Sequence, residues 1–347
     1  MSIQNNVTVV GTGTAPAVAV ALPSRSRRRR PGPAFWAGVS ILGTIIIVAT
    51  WMSFWPPYDP LATVAANIEG MSALHLLGTD NVGRDSLVRL ALAGRTSLII
   101  SGSAALLAAV VGAALGLVAG YVGGMVDAVI MRVVDALLAL PAILVALVVG
   151  VIIGNGAIPL IISLGIIFAP TFARVMRAPV IALRERDFVL AAQLSGVRTW
   201  KIVLQHLLPN ALTPLFVQFA SVASAVVLLE AALSYLGQGV QAPEPSAGRM
   251  ISELTRFMQT QPLLIIAPAL LIVLLSAGWN LLADGTQDYL SPRREGGIGG
   301  KRRRRPRTST TPATPATPQT APPLTTAPSG SSRTTSTVTS TPQEDSQ

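Results

Sequence analysis

No cysteine occurs in this chain of 347 residues, which removes disulfides, thiolate metal sites and cysteine nucleophiles from consideration. Histidine is nearly as scarce: His75 and His206 are too few and too far apart in sequence to build an imidazole metal site. Lysine is limited to Lys201 and Lys301, so the net charge of +10 rests almost wholly on arginine. Only 12% of the residues are charged, against 50% hydrophobic, and the mean hydropathy is +0.56. These values lie outside the soluble globular range and inside that of polytopic membrane proteins. A membrane chain collects arginine on its inner loops for topological reasons, and that reading is preferred to a nucleic-acid partner.

Catalytic motifs are missing as well. Neither HExxH nor GxSxG occurs. The one Gly-Lys pair, in "GGIGGKR" (296–302), fails as a phosphate loop, because Glu295 stands where the first glycine is needed and Arg302 where a hydroxyl is needed. "DNVGRD" (80–85) has too few correctly spaced ligands for a calcium loop and reads as a capped turn before a short outer helix. No catalytic, cofactor-binding or metal residue is assigned, and the chain is not expected to be an enzyme by itself.

What the sequence does have is apolar runs of spanning length. Six fall near 35–55, 97–120, 133–153, 157–176, 211–236 and 262–283, so the expected fold is all-α with six transmembrane helices. "RSRRRR" before the first run could open a twin-arginine export signal, but the run has full spanning length and no small-residue cleavage site follows it. With the N-terminus inside, twenty-one Lys and Arg fall on inner segments and five (Arg84, Arg89, Arg95, Arg249 and Arg256) on outer loops. Both termini are therefore expected on the cytoplasmic side. Residues 1–34 form a basic tail and 35–294 the membrane domain. Residues 295–347, basic through Lys301–Arg305 and then rich in Thr, Pro and Ser, lack the apolar surface that would offset chain ordering. The basic run suits a topological anchor, with anionic lipid as a contact.

Within the spans, Gly112, Gly116 and Gly120 recur every four residues behind Ala108 and lie on one helical stripe, where another backbone can approach closely. Pro141, Pro170, Pro214 and Pro268 interrupt their spans, which membrane helices tolerate when neighbours or water satisfy the freed carbonyls. Asp135 lies near the inner surface. Glu230 is deeper, and an acid in hydrocarbon costs about 2.5–3.5 kcal/mol on insertion scales, so it should face a water-filled path or a neighbouring helix, with an arginine as candidate partner.

Between the fourth and fifth runs the chain pauses at "DFVLAAQLSGVRTWKIVLQHLLPN" (187–210). Asp187 is placed to cap a short helix carrying Phe188, Ala191, Ala192 and Ser195 at helical spacing. Gly196 supplies a break. A second helix then sets Trp200, Val203, Leu204, Leu207 and Leu208 on one face, with Lys201 off that stripe, and Pro209 ends it. A lipid-resting helix needs only the Trp200 stripe; the flat Ala191–Ala192 face suits docking to another protein.

This stretch resembles the coupling loop of binding-protein-dependent ABC importer permeases, whose pattern is Glu-Ala-Ala, three residues, Gly, nine residues and an apolar-x-Leu-Pro ending. Here Ala191-Ala192, Gly196 and Leu207-Leu208-Pro209 keep the spacing, while Leu190 replaces the glutamate and His206 the apolar residue. His206 matches the ending found in the dipeptide, oligopeptide and nickel branch. "HLLGTDNVGRDSLVRLALAGRTSL" (75–98), "LSYLGQGVQAPEPSAGRMISE" (233–253) and "WNLLADGTQDYLSPR" (279–293) resemble the second, C-type permease of that branch, with Ala247 in place of a usual Trp.

The resemblance, over residues 35–294, implies a type I importer permease in the bacterial plasma membrane, taking peptides or a similar solute such as nickel. It implies a second permease, two cytoplasmic ATPases that hold ATP and Mg, and an extracytoplasmic solute-binding protein. The coupling loop would be 183–209 and the binding protein's landing place 237–261, with Glu230 a candidate for the translocation path. Two rivals are an ion-coupled secondary transporter, which would need more than one deep acid and usually internal repeats, and a membrane scaffold working through its tails.

Overall fold

The computed structural model describes residues 31–290; the bulk of the basic N-terminal segment and the whole of 295–347, with Lys301–Arg305, lie outside the described residues. Those residues form an all-helical bundle. Five helices are each long and apolar enough to cross a membrane: α1 (Pro33–Phe54), α2 (Ser86–Val122), α5 (Ala157–Arg184), α8 (Leu208–Tyr235) and α10 (Pro262–Leu290). Between α2 and α5 lie α3 (Gly124–Leu138) and α4 (Ala142–Ile153), and between α5 and α8 lie α6 (Asp187–Leu194) and α7 (Thr199–Ile202). Helix α9 (Ala247–Leu254) precedes α10.

The run near 133–153 is not one straight span. It is the pair α3 and α4, bent by 93° at residues 139–141. Pro141 takes an extended ψ of 120° and has no N–H to continue α3, and a proline disfavours helical geometry at the residue before it. Pro170, Pro214 and Pro268 sit inside helices that continue past them, as does Pro179. Packing makes the difference. Pro170 and Pro268 are buried among neighbouring helices that hold the chain straight, whereas residues 139–141 are exposed.

Helices α2 and α5 make the central seam of the bundle. A side chain on Gly112 would meet the Ala169 carbonyl oxygen and lie 2.6 Å from the Phe172 Cβ. One on Gly116 would meet the Ala173 carbonyl oxygen, 2.9 Å from the Met176 Cβ, and one on Gly120 would lie 2.9 Å from the Val180 Cβ. Three successive turns of α2 thus rest on the backbone of α5. Phe172, Met176 and Val180 are fully buried across the seam. Because lipid tails are as apolar as these side chains, the gain is close dispersion contact rather than removal from water. Asp127 on α3 accepts both Nε and Nη2 of Arg177 at 2.6 Å, and Asp135 accepts Arg174 Nη2 at 2.7 Å, so the end of α5 nearest α6 also holds α3.

Candidate functional site

The 187–210 segment folds as an interruption of the bundle that stays attached to its core. Helix α6 begins at Asp187, but its N-cap is Arg186 with no side-chain cap bond, so Asp187 lies in the first turn, where its charge favours the helix dipole, and does not cap. At the other end the Ser195 hydroxyl donates to the Ala191 carbonyl at 2.8 Å and the Val197 N–H to Ala192 at 3.1 Å. Gly196 then turns the chain at φ +72°, the left-handed region in which an L side chain is disfavoured, and nothing lies within 4 Å of where its Cβ would be. Its glycine is needed for the turn and not for space.

The second half departs from the expected helix. Helix α7 is a single turn, followed by a π-helical stretch, Val203–Leu207, that runs directly into α8. Leu208 N–H donates to the Val203 carbonyl five residues back, and Pro209 falls in the first turn of α8, where a missing N–H is tolerated. Pro209 therefore does not end the helix. The wider turn also moves the apolar face. Ile202 and Leu207, five residues apart, are the buried pair, while Trp200 is 58% and Leu204 52% exposed. The expected Trp200-to-Leu208 stripe is split between two sides. Val189, Ile202 and Leu207 join the main hydrophobic core, which anchors the segment.

What remains outside is a small apolar knob. Ala191, Ser195, Gly196 and Lys201 are exposed and Ala192 is half-buried. Leu190 and Phe188 are each 46% exposed, and Leu194, one turn beyond Leu190 on α6, is 90% exposed. Leu194 was not singled out by the sequence motif, although its i, i+4 relation to Leu190 marks it. With Phe188 and Leu190 it makes an exposed apolar cluster on an otherwise anchored helix.

At the opposite end of α2 the 75–98 stretch forms a polar knot. Asp85 accepts the Val88 N–H at 3.0 Å as N-cap of the long helix α2, so "DNVGRD" caps α2 itself and not a separate short helix. Its other oxygen lies 2.8 Å from His75 Nδ1. Asp80 is 2% exposed and accepts the N–H groups of Val82 and Arg84, Arg84 Nε at 2.8 Å, and Arg89. Arg89 also reaches Glu253 on α9 at 3.3 Å, and Glu253 accepts Arg249 Nε at 2.9 Å. Sequence spacing could show the Asp80–Arg84 pair, but Arg89 and Glu253 meet only through the fold.

Burial alone would raise the Asp80 carboxyl. The two backbone N–H groups and the charges of Arg89 and Arg84 outweigh it and hold the group below its ordinary value. Asp80 then contributes stability that is fully present above the unfolded carboxylate value of about 3.9 and is lost as pH falls through the lower folded value. Thermal melting of the purified protein should show a loss of stability below about pH 4 that is smaller in D80N. An acid limb identical in D80N and wild type would contradict this assignment.

Glu230 is 1% exposed on α8. Its carboxylate accepts Ser97 Oγ of α2 at 2.9 Å and Ser234 Oγ one turn along α8 at 2.9 Å. The arginine partner expected for it is replaced by hydroxyls. The side chain lies buried between elements of its own chain.

Along the exposed side of α2, an apolar cavity of about 660 Å³ opens between Leu106, Val110 and Leu117 on one wall and Leu212, Leu215 and Phe216 of α8 on the other. A second cavity, of about 800 Å³, continues from Leu117 and Tyr121 to Trp200.

Comparison with known proteins matches residues 112–296 to the family described as binding-protein-dependent transport system inner membrane component. The chain is 36% identical over 257 residues to the dipeptide transport system permease protein DppC of Alkalihalophilus pseudofirmus, covering 74% of this chain and 84% of that one. It is 39% identical over 259 residues to DppC of Escherichia coli, covering 74% and 86%. It is 33% identical over 253 residues to the oligopeptide transport system permease protein OppC of Salmonella typhimurium, covering 73% and 84%.

Proposed function

Because the chain belongs to the inner membrane components of binding-protein-dependent transport systems, in the branch of the C-type dipeptide and oligopeptide permeases, we propose that it forms half of the membrane channel of an ATP-driven peptide importer. The observation that carries the mechanism is the knob at Leu190, Ala191 and Leu194: apolar, exposed, and joined through Val189, Ile202 and Leu207 to the bundle core. A motor that grips this knob moves the bundle with it. Leu190 in place of the family's glutamate makes the contact apolar, and Leu194 widens it.

In this reading the knob and both chain termini face the cytoplasm, and two ATPase subunits supply ATP and Mg. Closure of the ATPase pair swings the bundle between inward and outward openings. The second permease covers the apolar trench between α2 and α8, since its Leu106, Val110 and Phe216 are 58%, 61% and 60% exposed in the single chain. The loop holding α9 receives the peptide-loaded binding protein, which selects the substrate. No step of the chemistry takes place on this chain.

The test is reconstitution. The complete complex in proteoliposomes should accumulate a labelled dipeptide only with ATP and binding protein together. Uptake driven by a proton or sodium gradient without ATP would favour an ion-coupled transporter and contradict the proposal.

A further inference from the structure

Glu230 has no place in the mechanism so far, yet two helices meet at it, and the loop leaving α8 is tied to one of its partners. Ser97 reaches it from α2 and Ser234 from α8. Ser234 in turn accepts the Val240 N–H at 3.3 Å, so the chain leaving α8 is held at the same point. Helix α9 lies directly on α8: a side chain on Gly248 would meet the Ala231 carbonyl oxygen and stand 2.9 Å from the Ala231 Cα. From this point α8 runs back through the π-helical stretch into α7 without a break, a rod of about 55 Å at about 1.5 Å per residue.

We infer that Glu230 is a positioning residue that fastens the loop carrying α9 to the end of α8, so that a load applied to that loop travels along one helical rod to the 187–202 knob. An apolar residue would pack this site as well but would leave the Ser97 and Ser234 hydroxyls without a common acceptor. The inference rests on the importer reading, in which that loop and that knob are the two ends that must communicate.

The geometry separates reach from charge. A glutamine keeps the length: its oxygen accepts Ser234, and its amide donates to Ser97, whose hydroxyl turns to receive it. An aspartate keeps the charge but is one carbon too short to hold both serines. E230Q should therefore behave as wild type, and E230A and E230D should share one defect.

The experiment uses the complete importer in nanodiscs with two readouts. Amide hydrogen exchange over residues 240–254 should quicken roughly tenfold in E230A and E230D, the effect of losing one buried hydrogen-bond anchor, and stay unchanged in E230Q. Binding-protein stimulation of ATP hydrolysis should fall by a similar factor in E230A and E230D, with basal hydrolysis unchanged. A simple folding defect would lower basal and stimulated hydrolysis together. Wild-type exchange in E230A, or a loss in E230Q that E230D is spared, overturns the inference, the latter by showing that charge matters. Exchange is read on the membrane-embedded chain whether or not the ATPases respond. A wild-type complex that the binding protein fails to stimulate therefore counts against the importer reading alone.

Discussion

Valine at position 116 should prevent the bundle from closing. A Cβ there has no room: it meets the carbonyl oxygen of Ala173 and stands 3.0 Å from the carbonyl carbon and 2.9 Å from the Met176 Cβ. Two of these atoms are backbone, so no rotamer change relieves the clash and α2 must back away from α5. Retreat at one turn also opens the neighbouring turns at Gly112 and Gly120, because all three rest on the same helix. Overpacking of this kind costs on the order of 3 kcal/mol or more, and lipid adds no hydrophobic force to offset it. G116V and G112V should yield almost no monodisperse protein after extraction in mild detergent, read by size-exclusion chromatography. Gly102 gives the internal control, since no atom lies within 4 Å of its Cβ position. G102A should match or exceed wild type, gaining about 1 kcal/mol of helix propensity. Equal yields of G116V and G102A would contradict the seam.

The second large effect concerns the knob, where stability and function should separate. Gly196 needs its φ of +72° and not empty space, so substitutions there should rank by tolerance of the left-handed region. Asparagine visits that region readily, alanine pays about 1–2 kcal/mol, and a β-branched residue pays more. G196N should keep binding-protein-stimulated ATP hydrolysis, G196A should lose part of it, and G196V should abolish it, all with normal membrane insertion. A191R places a charged, bulky group on the exposed face without touching the core and should also abolish stimulation. Normal peptide uptake by G196V and A191R would show that this face does not dock.

Much of this arrangement was legible in the sequence because it follows from local rules. Five spans follow from hydropathy, the α2 face toward α5 from a four-residue glycine period, and the turn at 196 from a glycine between two short apolar patterns. The failures share a cause. Pro141 and Pro170 look alike in sequence, yet one breaks its span and the other does not, because neighbouring helices enclose only Pro170. A period of 3.6 residues per turn sets one apolar stripe after Trp200, but the chain takes a π turn before Pro209, and the buried pair becomes Ile202 and Leu207. Glu230 was recognised as a buried acid in need of a partner. That its partners are Ser97 and Ser234 depends on α2 and α8 being brought together by the fold.

The absence of cysteine favours the decisive measurement, since a single L194C substitution gives this chain one attachment point, on a residue that is 90% exposed, where a probe can be fixed before assembly. A photoreactive probe placed there in the assembled importer should crosslink to an ATPase subunit, and nucleotide should change the yield. Crosslinks confined to lipid, or labelling of the site from outside sealed cells, would contradict the account at its centre.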